Sequence, residues 1–564
     1  MLKGIFRTKN LDDILAAAGG PQFALKRTLG PINVTLLGIG AIIGAGIFAT
    51  VGTAAAGDVH RPGAGPSLML SFAITAIVCA FTALCYAEMA SMVPISGSAY
   101  TYSYATLGEL IAWIIGWDLI IEYAVGNVAV AISWANYFRT FIHDAFGVNI
   151  PQWLSTDFRT ARKIPGLLES APHVFGIPIV FNLLALLIVA LITIVLVWGI
   201  KESAEFNAVM VGIKIIVLLF FIGVAIYFVS PSEMTRNWVP FQPQGWGGTL
   251  AGAAVVFFAY IGFDAVSTVA EETKNPARDL PIGIIASLVI CTIFYVIVAA
   301  VFTGLMPYSE LVRRLSTEQA EPLTMALNYV APNARWASAI VAFGSVIAHT
   351  AVLLVFQLGQ PRIFFSMARD GLLPPVFASV HPKFKTPHVT TILTGVVVGG
   401  FAAVMSIDEM VDLTNIGTLF AFVLVCLGII ILRYKDPVRR RPFKVPFGAW
   451  LLPGLGAVSC LFLMYYLPPT SWWRFIAWLA LGLSVYFAYG YSRSGIGQQL
   501  GRPFPTPLGM KLTGLGFLLL AIGLFIVGFD RPTTLAYACV GAGGLLIVFG
   551  SLWGGTQGSG KQTN

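Results

Sequence analysis

The stretch Gly38-Ile39-Gly40-Ala41-Ile42-Ile43-Gly44-Ala45-Gly46-Ile47-Phe48 can hold a zwitterion without a charged side chain. Four of these residues are glycines inside a long apolar run, and each costs a helix about 1 kcal/mol relative to alanine. A helix that stops and restarts here leaves backbone N–H groups free at one break and C=O groups free at the other. The amides suit a carboxylate and the carbonyls suit an ammonium. In lipid such a break is tolerated only where it is buried in protein or lines a cavity. The other reading is a close-packed helix seam, since Gly40 and Gly44 form a G-x-x-x-G pair.

A second apolar run is interrupted in the same way. Phe257-Phe258-Ala259-Tyr260-Ile261-Gly262-Phe263-Asp264 places a glycine and an aspartate near mid-depth of the sixth run. The two interrupted runs are five apart, so they cross in opposite directions. Interrupted helices at matching positions of two inverted halves point to a transporter binding site.

Few ionisable groups lie deep in these runs, and buried ones are functional candidates by default. Lys214 is the one lysine or arginine there; its amine could load and release a proton, or form a structural ion pair with a carboxylate of another span. Asp118, Glu122 and Asp264 are the intramembrane carboxylates, with Glu122 one turn from Asp118 on the same face. One of them could meet a basic substrate side chain, or all could brace helices. His349 could line a side-chain pocket or titrate near neutral pH; a hydrogen-bonded packing histidine fits equally. Tyr260 is a further pocket candidate. A lone histidine without a second ligand gives no metal site. Glu88, Glu271 and Glu272, near the inner surface, read as gate or loop charges.

The elements that must position these residues follow from composition. The chain of 564 residues is 57% apolar and 11% charged, against about 25% charged in soluble proteins. Fourteen apolar runs approach or exceed the ~20 residues that cross a bilayer: about 33–55, 67–92, 110–138, 178–199, 206–229, 247–270, 282–306, 336–360, 388–407, 411–433, 448–467, 472–491, 511–528 and 533–552. With the N-terminus inside, 22 of the 34 lysines and arginines fall inside, 11 outside, and Lys214 within a span. Both termini are therefore expected in the cytoplasm. The net charge of +8 is a topology signal rather than a nucleic-acid patch. Arg439-Arg440-Arg441 could also attract anionic lipid. The six cysteines all lie in apolar runs, so no disulfide framework is expected. Residues 1–30 read as a cytoplasmic arm with a short surface helix at Leu11–Leu15, and no cleavable signal peptide is visible.

The chain resembles the amino acid–polyamine–organocation superfamily, within it the bacterial type of the cationic amino acid transporter branch. The resemblance rests on the Gly38–Phe48 stretch, Ala83–Glu88 with Pro94–Tyr100, Gly116–Tyr123, Gly199–Ser203, Gly262-Phe263-Asp264 with Glu271–Pro276, Met367–Pro374 and Thr414–Leu419. It implies an all-α polytopic fold with an inverted five-plus-five repeat and broken spans 1 and 6. The transport core would occupy 31–434, as halves at about 31–230 and 245–434. A basic cytoplasmic linker at 435–447, four accessory spans at 448–553 and a disordered tail at 554–564 would follow.

In similar transporters the substrate carboxylate meets amides matching Ala45 and Gly46. Family members often carry Thr or Ser where Ala45 stands, so any hydroxyl contact there is absent. The α-amino group meets carbonyls matching Ile42, Phe258, Ala259 and Ile261. Lys214 matches a lysine that replaces a sodium ion in proton-coupled members. The expectation is therefore secondary import of amino acids across the plasma membrane by alternating access, coupled to protons. Cationic and neutral amino acids both remain open, and an exchanger without proton coupling is the alternative. A channel would need a continuous polar lining, a sensor an added soluble domain, and an ATP-driven pump a Walker A motif; none is visible. No H-E-x-x-H or G-x-S-x-G marks an intramembrane enzyme. Oligomeric state is left open.

Overall fold

The computed structural model describes residue 8 and residues 27–58, 61–93, 98–199, 204–317, 321–495, 507–528 and 533–556. The expected surface helix at 11–15, the Pro94–Gly97 and Ile200–Ser203 parts of the motifs and the last eight residues lie outside them. The described chain is helical apart from two two-stranded hairpins, Gly57–Asp58 with Arg61–Pro62 and His173–Val174 with Ile177–Pro178. Each of the fourteen apolar runs falls on a helix. Ten are long and apolar enough to cross a membrane: Pro31–Ala56, Gly65–Met92, Glu109–Phe146, Glu205–Phe228, Gly245–Ala270, Pro276–Gly304, Arg335–Arg369, Ile407–Lys435, Pro469–Arg493 and Leu508–Gly528. The other four, Leu183–Trp198, His388–Val404, Leu451–Tyr465 and Thr534–Gly550, are apolar but shorter. In chain order these helices are called spans 1 to 14.

Span 1 begins where Pro31 fills the first helical position, which needs no N–H. Its first half ends at Ile42, and Ile43 turns extended at φ −75° and ψ 102°. A wide-turn segment, Gly46–Thr50, leads into the second half, Val51–Ala56. Span 6 breaks likewise: helix to Val256, a tight turn over Phe257–Tyr260, extended Ile261, then Gly262 at φ +121°. Only glycine adopts that φ without strain. A Cβ at Gly262 would also meet the carbonyl of Ala41 at 2.9 Å, so the two interruptions sit backbone to backbone.

Helix packing follows the order that an inverted repeat requires. The wide turn of span 1 touches the tight turn of span 6, span 2 packs on span 7, span 3 on span 8 and span 4 on span 9. Span 1 also packs on span 7 as span 6 packs on span 2. Among the accessory helices, span 12 braces span 3. The indole nitrogens of Trp113 and Trp117 donate to the carbonyls of Gly482 and Trp478 at 3.0 and 2.9 Å, and Trp478 returns a bond to the Trp117 carbonyl. Spans 13 and 14 pack on each other, and span 13 on span 12.

The segment after span 10 departs from a free linker. The Glu88 carboxylate at the end of span 2 is fully buried and pairs with Arg433 and Arg441, and it accepts from the Val445 amide at 2.7 Å. Glu88 thus anchors the basic segment instead of acting as a gate charge. Between spans 7 and 8 lie two helices, Tyr308–Thr317 and Pro322–Val330, that the hydropathy pattern does not reveal. The second rests on the second half of span 1, where Pro322 packs over Gly52.

Candidate functional site

The break in span 1 frees the groups that the sequence points to. Gly44, Ala45 and Gly46 stand at the start of a new helical segment, where amides have no carbonyl one turn back. All three are buried, as are Phe258, Ala259 and Ile261 opposite them. The backbones meet closely: a Cβ built on Gly46 would overlap the Cα of Ala259. Gly44 faces Val352 of span 8, and Gly40 faces Asn207 and Val211 of span 5. Gly40 and Gly44 are therefore contact points within a broken helix, which joins the two readings of that stretch.

The carbonyl side of the site has an occupant that sequence reasoning missed. The Tyr295 hydroxyl of span 7 donates to the carbonyls of Ile42 and Ala259, at 2.8 and 2.9 Å. It therefore bridges the ends of both broken helices. Each carbonyl keeps a second lone pair for an ammonium, and the bridge fixes their spacing. Tyr295→Phe is expected to weaken substrate binding about fivefold, the effect of losing about 1 kcal/mol. Equilibrium binding checks this; equal or tighter binding would show that the hydroxyl competes with the ammonium. The only sequence signal was a tyrosine in an apolar run.

Lys214 is fully buried, and its Nζ donates to the Gly40 carbonyl at 2.5 Å. It thereby ties span 5 to span 1 two residues before the first half-helix ends. His349 is also fully buried, and both ring nitrogens are engaged. Nε2 lies 2.7 Å from the Ser133 hydroxyl and Nδ1 2.6 Å from the Ser345 carbonyl. A neutral ring that donates from Nδ1 and accepts at Nε2 satisfies both. Its ring packs between Phe48 and Tyr137, so the structure favours the packing role.

Tyr260 turns away from the break. Its hydroxyl donates to the Phe72 carbonyl of span 2 at 3.0 Å, and its ring packs on Phe72 and Tyr295. The pocket assignment for Tyr260 is thus replaced by a helix-packing one. Asp264 opens the restarted part of span 6, and its Oδ1 accepts from the Gly262 amide at 3.2 Å. Its other oxygen and Glu122 Oε2 are buried, each without a hydrogen-bond partner. Asp118 lies one turn away against Gly417 of span 10. Because Glu122 is buried within span 3, Glu122→Gln is expected to affect cationic and neutral substrates alike. Parallel uptake of lysine and leucine measures this, and a loss confined to lysine would return Glu122 to the side-chain pocket.

Comparisons with known proteins agree with this architecture. The amino acid permease family model matches residues 29–489. The chain is 46% identical over 498 residues to the branched-chain amino acid permease BcaP of Bacillus subtilis, covering 88% of this chain and 100% of that one. It is 43% identical over 493 residues to the methylthioribose transporter of the same organism, covering 87% and 99%. It is 37% identical over 440 residues to the vacuolar cationic amino acid transporter 4 of Arabidopsis thaliana, covering 77% and 68%. A polytopic helical chain with two facing helix breaks, matched over most of its length by that family, belongs to the amino acid permeases and is a multi-pass membrane transporter rather than an enzyme.

Proposed function

We propose that this chain imports neutral aliphatic L-amino acids of the leucine, isoleucine and valine class across the cytoplasmic membrane by proton-coupled alternating access. The observation that carries this reading is the pair of facing breaks. Free amides at Gly44, Ala45 and Gly46 take the carboxylate, and the carbonyls of Ile42, Phe258, Ala259 and Ile261 take the ammonium. These groups recognise any α-amino acid and leave the side chain to its neighbours. Those around the breaks are apolar: Ile43, Phe48, Val352 and Phe258. Glu122 and Asp264 are buried among the helices and Asp264 is engaged by the Gly262 amide, which supports a neutral substrate over a cationic one. The full-length alignment with a branched-chain amino acid permease points the same way.

Coupling rests on Lys214. As an ammonium it makes a charge-assisted bond to the Gly40 carbonyl, about twice as strong as a neutral one. Loss of the proton loosens the first half of span 1 from span 5 and favours opening on the basic, cytoplasmic face. The charge bias of the sequence supports a cytoplasmic position for both termini.

Cationic amino acids form the second reading, favoured by the likeness to a cationic amino acid transporter. The test is binding of the twenty amino acids and of methylthioribose to purified protein, followed by uptake of the tightest ligands into proteoliposomes with and without an inward proton gradient. Tightest binding of leucine, isoleucine or valine, with gradient-driven accumulation, is expected. Preference for lysine and arginine would establish the second reading. Binding of methylthioribose alone would remove the amino acid assignment.

A further inference from the structure

A cavity of about 550 Å³ lies at the C-terminal end of span 3, which the charge bias of the sequence puts opposite the cytoplasmic face; its size is within the 300–1,000 Å³ range of small-molecule sites. Its walls are the far end of span 3, the loop that follows it, the helix Pro322–Val330 and the start of span 8. Two carboxylates in this wall are buried and incompletely satisfied. The Asp144 side chain is 5% exposed; its Oδ1 lies 2.9 Å from His143 Nδ1, while Oδ2 has no hydrogen-bond partner. The Glu321 side chain is 9% exposed, and its Oε1 lies 3.6 Å from an Arg139 nitrogen, too far for a hydrogen bond. Burial holds the Glu321 carboxyl above the ordinary range, with Arg139 pulling the other way. A buried carboxylate without its full set of partners costs free energy, so these oxygens are unspent capacity. Two guanidinium groups, Arg139 and the exposed Arg335, line the same space. The cavity therefore presents acceptors for an ammonium beside donors for a carboxylate.

Its position relates it to the central site. The lining residue Thr140 is three residues, just under one helical turn, past Tyr137, whose hydroxyl donates to the Phe48 carbonyl in span 1 at 2.5 Å. The helix bearing Glu321 rests on that same half of span 1. A molecule held here stands one turn of span 3 from the broken helix.

We propose that this cavity is an outer waiting site for a free α-amino acid, its ammonium on Asp144 and Glu321 and its carboxylate on Arg335 and Arg139. The proposal rests on the amino acid reading of the central site. Equilibrium dialysis of full-length purified protein against radiolabelled L-leucine separates the two. The proteins compared are wild type, Asp144→Asn and Glu321→Gln, near-isosteric changes checked by elution profile. Two leucines per wild-type chain and one in each variant are expected, with the remaining site unchanged in affinity. One per wild-type chain, retained by both variants, overturns the outer site and leaves the central one. One per wild-type chain, lost in both variants, keeps the outer site and removes the central one. Two in all three proteins overturns the assignment to Asp144 and Glu321, and none in wild type overturns both sites.

Discussion

Lys214→Ala is expected to abolish accumulation driven by an inward proton gradient while substrate binding survives. The amine is buried, and the bond from its Nζ to the Gly40 carbonyl crosses from span 5 to span 1. The groups assigned to the substrate, Ala45 and Gly46 on one side and Ile42 and Ala259 on the other, lie at or beyond the end of that half-helix. Alanine therefore removes the titratable group and leaves the amides and carbonyls in place. Wild-type and variant proteoliposomes are compared with and without the gradient, beside equilibrium binding. Exchange of internal for external substrate, which needs no net proton movement, should persist in the variant. Accumulation at the wild-type rate would rule out Lys214 as the coupling group. Loss of binding in parallel with uptake would assign Lys214 to holding span 1 in shape.

The sequence carried the placement of this lysine because a charge in an apolar run stands out from every neighbour. It carried the two breaks for the same reason: glycine clusters at Gly38–Gly46 and Gly262 contradict the helix around them. Side-chain partners were less legible. Helical periodicity gives the face of a residue but not the residue opposite, and a shift of one position turns a side chain by about 100°. Glu122 and Asp264 were both visible as intramembrane carboxylates, yet only the fold shows that Asp264 bonds the Gly262 amide while Glu122 Oε2 is buried without a partner. Tyr260 sits in the middle of the span 6 motif and still points to span 2. Tyr295, which touches both breaks, has nothing in its local sequence to set it apart from the other tyrosines. Glu88 lies near a helix end, as a gate charge would; its partners Arg433 and Arg441 are more than 340 residues away and known only from the fold. The outer cavity was invisible for a related reason. Asp144 and Glu321 lie in segments where polar residues are ordinary, and only the fold brings these distant segments to one cavity wall.

Gly46 is where the two breaks bear most directly on each other. A side chain added there does not only approach the substrate, as the exposed amide alone would lead one to expect. Its Cβ would overlap the Cα of Ala259 and crowd the Ala259 amide nitrogen at 2.8 Å. Backbone cannot rotate aside as a flexible side chain can, so spans 1 and 6 must separate. Gly46→Ala and Gly46→Val are both expected to cut substrate affinity at least tenfold, about 1.4 kcal/mol. Overpacking of this kind also destabilises by roughly 1–3 kcal/mol, so a lower melting temperature should accompany the loss, more for valine than for alanine. Ala259→Gly in the same chain removes the opposing Cβ but leaves the Cα, which is the nearer obstacle. The double variant Gly46→Ala with Ala259→Gly should therefore stay impaired. A scintillation proximity assay beside a thermal-shift series reads both quantities. Full rescue by Ala259→Gly would show that the clash is between side chains and that the breaks have room to move. Unchanged affinity in Gly46→Ala with a lowered melting temperature would keep the close approach of spans 1 and 6 and take the carboxylate away from the amides at Ala45 and Gly46.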